Sequence, residues 1–144
     1  MSRDLVSVTV AGHLFGIPVE HVRDVLPPQR LTRIPLAPPE VAGMLNLRGR
    51  VVVAIDLRRR LGFVPAPTET QAMFVVVEHE DEFYSIVVDA VGEVLQGDDG
   101  AFEGNPSTLD AAWRDLSTGI YRLDGALLVL LDVARVLELR AAAA

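Results

Sequence analysis

Apolar residues recur along this chain in short runs, most of them with the period of a strand. In "LVSVTV", Leu5 to Val10, the valines at 6, 8 and 10 share one face. "AGH" reads as a turn before "LFGI". Pro18 opens a single helical turn, after which "VRDVL" is extended. "LTRIP" is short and prolines follow it. "GMLNL" and "VVVAI" flank Arg48-Gly49-Arg50, a hairpin turn. "VVVAI" has no polar face and is expected to be buried on both sides. Asp56 suits the N-cap of a short helix, "LRRRL". In "FVPAPTETQ", Phe63 to Gln71, prolines and threonines stop regular structure, so this is the expected linker. Beyond it the same order returns: "MFVVVEH", a turn, "FYSIVV", "GEVL", a long loop, "GIYRL", Asp124-Gly125 and "ALLVLL". Asp132 caps a final helix, "VARVLELR", with Val133, Val136, Leu137 and Arg140 at helical spacing.

The returning order is an internal repeat. "FGIPVEHVRDVL" from Phe15 aligns with "YSIVVDAVGEVL" from Tyr84, an offset of 84 − 15 = 69. Ile17 falls on Ile86, Val19 on Val88 and Asp24 on Glu93. "GMLNLRG" from Gly43 aligns with "GIYRLDG" from Gly119, an offset of 119 − 43 = 76, which also carries Asp56 onto Asp132. The seven extra residues fall between Leu95 and Gly119. About five short strands per half, joined by tight turns, predict a mainly β chain of two packed small barrels. The halves are drawn as one lobe over about 14–62 plus the N-terminal strand and a second over about 72–131. A helix over about 133–140 completes one domain spanning 1–144.

Composition narrows the function. Half of the 144 residues are apolar, enough for a substantial core. The longest apolar runs have six residues, whereas a membrane span needs about 20. The N-terminus lacks the basic region and apolar core of a signal peptide, which places the chain in the cytoplasm. Without cysteine there are no disulfides, thiol chemistry or cysteine zinc sites. A net charge of −7 argues against nucleic acid.

No catalytic constellation emerges. "EHEDEF" around His79 reads as a solvated hairpin turn, because neighbouring strand residues point to opposite faces and cannot converge on a metal. "GDDG", 97–100, lacks the ligand spacing of a calcium loop and reads as surface. Arg58-Arg59-Arg60 reads as a solvated helix face, with a phosphate or acidic-partner site as the alternative. Trp113, the single tryptophan, is expected to pack the long loop onto the second lobe. No metal or cofactor is expected, and no enzyme. A ligand-sensing β-domain with its ligand in the interlobe cleft stays open beside a binding module.

"GMLNLRGRVVVAIDLRRRLG" carries a resemblance. Gly43, then Asn46-Leu47-Arg48-Gly49, an apolar strand and Asp56-Leu57-Arg58 resemble the pattern of the CheW family of chemotaxis coupling proteins. "FGIPVEHVRDVL", "TRIPLAPPEVAG" and "YSIVVDAVGEVL" fit it in order and spacing. Val53, Ser85 and Ala90 depart from it, the first where the family often has proline and the others at small-residue positions. The resemblance implies two packed five-stranded SH3-like barrels and a non-catalytic adaptor. It implies as partners the cytoplasmic tips of chemoreceptors, docked in the groove between barrels, and the regulatory domain of the histidine kinase CheA, joined end to end. It places Val22, Asp24, Gly43, Arg48 and Val94 at the receptor groove. There Asp24 and Arg48 would pair, Val22 and Val94 would be covered by a partner helix, and Gly43 would let that helix approach. The alternatives are a solvated turn arginine at 48 and valines that belong to the core.

Overall fold

Three hairpins close through two-residue turns in which both residues have positive φ: Ala11-Gly12, Arg48-Gly49 and Glu80-Asp81. This is the turn that matches the right-handed twist of paired strands. They belong to a computed structural model that describes residues 2–65, 71–123 and 125–138. Linker residues 66–70, Asp124 of the second hairpin turn and 139–144, with the end of the expected last helix, lie outside the described residues.

The first half runs β1 (Ser2–Val10), β2 (His13–Pro18), a 3-10 turn at Val19–His21, β3 (Val22–Leu26), β4 (Val41–Leu47), β5 (Arg50–Asp56) and α1 (Leu57–Arg60). The second runs β6 (Met73–His79), β7 (Glu82–Val88), β8 (Ala90–Asp98), β9 (Phe102–Glu103), α2 (Ala111–Leu116), β10 (Ser117–Leu123), β11 (Ala126–Leu131) and α3 (Val133–Leu137). Asp56 and Asp132 cap α1 and α3 by accepting backbone N–H bonds, as their positions predict. "LTRIP" shrinks to one bridge, Thr32 with Met44. "GDDG" is not wholly loop, because β8 continues through Asp98 and Gly97 packs against the Tyr121 ring.

The strands form a six-stranded sheet, β8-β1-β2-β11-β10-β9, and a five-stranded sheet, β3-β6-β7-β5-β4. The sheets therefore do not follow the sequence halves drawn at 62 and 72. Each repeat sends its first hairpin to the other's sheet, where β2 pairs β11 in parallel and β5 pairs β7 in parallel. Exchanging β1, β2, β3, β4 and β5 for β6, β7, β8, β10 and β11 turns one strand order into the other. The registers agree: Val53 faces Tyr84 as Val129 faces Phe15. The surplus strand β9 pairs Glu103 with Ile120, where the first repeat has only the Thr32–Met44 bridge. Side-chain periodicity tells which face is buried, not which distant strand a hairpin joins, so the exchange is invisible in the pattern.

Three apolar layers result. The central one, with Val6, Val8, Ile17, Val75, Val77 and Ile86, packs the sheets together. The outer two correspond residue by residue across the repeat. Leu5, Leu14, Leu95, Tyr121, Leu123, Leu128 and Leu130 answer Phe74, Phe83, Leu26, Leu45, Leu47, Val52 and Ala54. Volume is exchanged within this pattern. Leu130 lies opposite Gly16, where an added Cβ would come within 2.8 Å of Leu128, whereas smaller Ala54 lies opposite Ser85. In "VVVAI", Val52, Ala54 and Ile55 are buried, but Val51 beside the turn is 59% exposed.

The ring contacts of Trp113 fall on the first half of the chain, not on the second lobe as expected. Trp113 meets the rings of His13, Phe15 and Phe63, and its indole N–H donates to the Leu61 carbonyl at 3.1 Å. It ties α2 to the end of α1 and to the exchanged hairpin.

The buried hydroxyl of Ser85 has no hydrogen-bond partner among the described residues. Ser85→Ala should leave the melting temperature unchanged or raise stability by up to about 1 kcal/mol. Ile86→Ala, one residue on in the central layer, should lower it by about 2–5 kcal/mol. Thermal unfolding followed by circular dichroism checks both.

Candidate functional site

The Asn46-Leu47-Arg48-Gly49 segment divides its labour. The Asn46 side-chain oxygen accepts the Gly49 N–H at 2.8 Å and pins the β4–β5 turn. Leu47 packs against the five-stranded sheet's outer layer. Gly49 has φ 84, a value only glycine adopts freely. The Arg48 backbone shares the turn, but its side chain takes no part in holding it and is 84% exposed.

Arg48 Nη2 lies 3.8 Å from Asp24 Oδ2, whose other oxygen accepts the Val25 N–H at 2.9 Å. Asp24 sits just past a register shift in β3, which aims it at the turn. An exposed pair of this kind contributes about 0–1 kcal/mol, so its stabilising effect is small. The expected pairing is present.

The other expected residues distribute differently. Val22 is half-buried, packed against the central core and paired with Val77. Val94 is 62% exposed on β8, an edge strand. Its repeat counterpart is Val25, 69 residues earlier and 37% exposed, so Val25 rather than Val22 is the exposed valine of β3. The register shift in β3 pairs Val22 with Val77 and Val25 with Val75, so both lie on one face of the sheet and packing against the central core separates them. Gly43 is buried with φ 150, and an added Cβ would stand 2.7 Å from the Thr32 carbonyl oxygen. Its smallness makes room for this chain's own Thr32. Gly119 repeats the device, beneath Phe102 and Glu103.

Asp24, Arg48 and Val22 thus belong to the five-stranded sheet, and Val94 to the other. The 3-10 turn at Val19–His21 touches both β1 and β6 and so bridges the sheets. Beside it Arg3, Asp4, Pro18, Val19 and Glu20 line a shallow depression. Among the described residues, no group of three or more His, Asp or Glu is placed to hold a metal ion.

The Arg58-Arg59-Arg60 run is not a uniform solvated face. Arg58 makes a two-point contact with Asp89, at 2.9 and 2.7 Å, with both side chains under one-fifth exposed. Asp89 also accepts the Ala11 N–H, so the pair joins α1, the β7–β8 corner and the first hairpin. The Arg58 hydrogen bond, helped by that N–H and opposed by burial, holds the Asp89 carboxyl below its ordinary value. Arg60 donates to the carbonyls of Arg135, Val136 and Glu138 at the end of α3. Only Arg59 matches the solvated reading.

A carboxyl depressed on folding stabilises the protein fully above its unfolded pKa, near 3.8, and that contribution is lost as pH falls through the lower folded value. Asp89→Asn should destabilise at neutral pH by about 1–3 kcal/mol. It should also flatten the loss of stability below pH about 4. Denaturant melts between pH 2 and 7 measure this.

A profile described as CheW-like domain matches residues 4–141. The chain is 27% identical over 131 residues to the chemotaxis protein CheW of Rhizobium meliloti, covering 91% of this chain and 84% of that one. It is 27% identical over 124 residues to the chemotaxis protein CheW of Helicobacter pylori, covering 86% and 74%. The crystal structure of the scaffolding protein TtCheW from Thermoanaerobacter tengcongensis superposes with a TM-score of 0.87 at 26% identity, covering 99% of this chain and 97% of that one.

Proposed function

The chain belongs to the CheW-like domain family of chemotaxis scaffold proteins, and we propose on that premise that it is a non-catalytic adaptor joining chemoreceptors to a histidine kinase. In this reading it is a single CheW-like domain that works in the cytoplasm at membrane-associated receptor arrays. No described helix is long and apolar enough to cross a membrane. The receptor's cytoplasmic tip docks over Asp24, Arg48 and the exposed valines, and the regulatory domain of CheA is the second partner.

The observation that carries the reading is Arg48. It is held by a turn that Asn46 and Gly49 build, it is 84% exposed, and it faces Asp24 at a distance that does little for stability. A guanidinium placed so suits recognition of another molecule's carboxylates or carbonyls. Val25 and Val94 add apolar surface that a helix can cover, worth roughly 25 cal/mol per Å². In this reading Val22 and Gly43 shape the surface from beneath.

The ligand-sensing alternative places its ligand between the lobes. That space is filled by Val6, Val8, Ile17, Val75, Val77 and Ile86, which favours the adaptor.

Co-sedimentation with receptor-containing membranes, with and without the kinase, tests the proposal. The wild-type chain should pellet with the receptors and recruit the kinase. Arg48→Ala and Val94→Glu should keep the wild-type melting temperature and lose at least tenfold in receptor affinity. Val22→Glu should instead lower stability by several kcal/mol, because it buries a charge against the central core. A wild-type chain that stays in the supernatant would sink the adaptor.

A further inference from the structure

The two repeats present the same corner with different charge. In β3 a bulge at Arg23 sets Asp24 and Val25 at the sheet's edge. In β8 the pairs Val8–Val91 and Val6–Val94 leave Gly92 and Glu93 opposite Ser7 alone, a bulge at the equivalent place. The Ser7 hydroxyl donates to the Glu93 carbonyl at 2.7 Å, and an added Cβ at Gly92 would come within 2.6 Å of it. This second corner is therefore held firmly, yet its surface is the more open. Val94 is 62% exposed against 37% for Val25. Both β3 and β8 are edge strands, so a helix laid along either rim meets side chains from both faces.

Asp24 faces Arg48. In the aligned segment of the second repeat the residue at the place of Arg48 is Asp124, so the repeat brings Glu93 no arginine of its own. From Leu61 to Trp113 the chain has eleven side-chain carboxylates and neither arginine nor lysine. Arginines from outside this stretch reach three of them: Arg23 pairs with Glu78, Arg58 with Asp89 and Arg122 with Glu103. Glu93 is exposed, and its side chain makes no ion pair or hydrogen bond among the described residues. A carboxylate so placed, beside an exposed valine in an acidic stretch, complements a lysine or arginine that arrives on the apolar face of a helix.

We infer that Glu93 receives a basic side chain of the receptor tip and that this contact, with Arg48 on an acidic one, fixes the direction in which the tip lies. The inference rests on the adaptor reading, which lays the tip over Arg48 and Val94. The two corners are alike in shape, so shape alone lets a helix cross them either way. Their charges admit one direction, with the partner's base toward β8 and its carboxylate toward the β4–β5 turn.

Co-sedimentation with receptor-containing membranes at several salt concentrations tests this. Glu93→Arg should keep the melting temperature and lose at least tenfold in receptor affinity, because it sets like charges against each other. Glu93→Gln should lose about threefold and bind with a weaker salt dependence. Replacing the lysines and arginines of the receptor tip by glutamate, one at a time, should yield one receptor that binds the Glu93→Arg chain better than the wild-type chain. A structural role for Glu93 gives no such rescue. Wild-type affinity in Glu93→Arg beside a loss in Val94→Glu would overturn the inference and leave the adaptor standing. So would a loss in Glu93→Arg that no reversed base restores, or a melting temperature lowered in both Glu93 variants. A wild-type chain that stays in the supernatant would overturn the adaptor and the inference together.

Discussion

The parallel pairings of β2 with β11 and of β5 with β7 hold the whole arrangement together. Each fastens the first hairpin of one repeat to the last strand of the other. Neither sheet is complete without strands from both halves. The central apolar layer forms where the two composite sheets meet, and Val6, Val8 and Ile17 share it with Val75, Val77 and Ile86. Because the exchange is mutual, the 3-10 turn at Val19–His21 has to carry the chain from one sheet to the other, which puts it at the seam where the candidate surface lies.

Much of this was legible. Alternation in "LVSVTV" named the buried face of β1, and Val6, Val8 and Val10 are all buried. The two offsets in the repeat matched strands that prove equivalent down to their register. Asp56 and Asp132 were readable as caps because capping depends on local chemistry alone. The hairpin exchange was not legible, since pairing between strands distant in sequence leaves no local mark. Nor was the division between Val22 and Val25. A regular strand would put them on opposite faces, whereas the register shift in β3 sets both on one face, opposite Val77 and Val75, and only packing against the central core separates them.

The family motif separates along similar lines. Asn46, Leu47 and Gly49 build a turn, and Asp56 caps a helix. Arg58, easily mistaken for part of a solvated run, braces three segments through Asp89. Arg48 alone has no such employment. The surface assigned to partners therefore consists of few residues carried by many structural ones.

The hairpin exchange also bears on synthesis. Leu14 pairs with Leu128, so 128 − 14 = 114 residues separate the two. During translation from the N-terminus, β1 and β2 emerge long before β8 and β11 exist. The first hairpin must wait with both edges open while the chain lengthens, and its pairing closes a loop of nearly the whole protein. The geometry is that of two identical half-length chains that swapped their leading hairpins as a symmetric dimer and were then fused end to end. A newborn copy of this chain is thus its own dimerisation partner, and its leading hairpin, Ser2 to Pro18, is the last part to find its place.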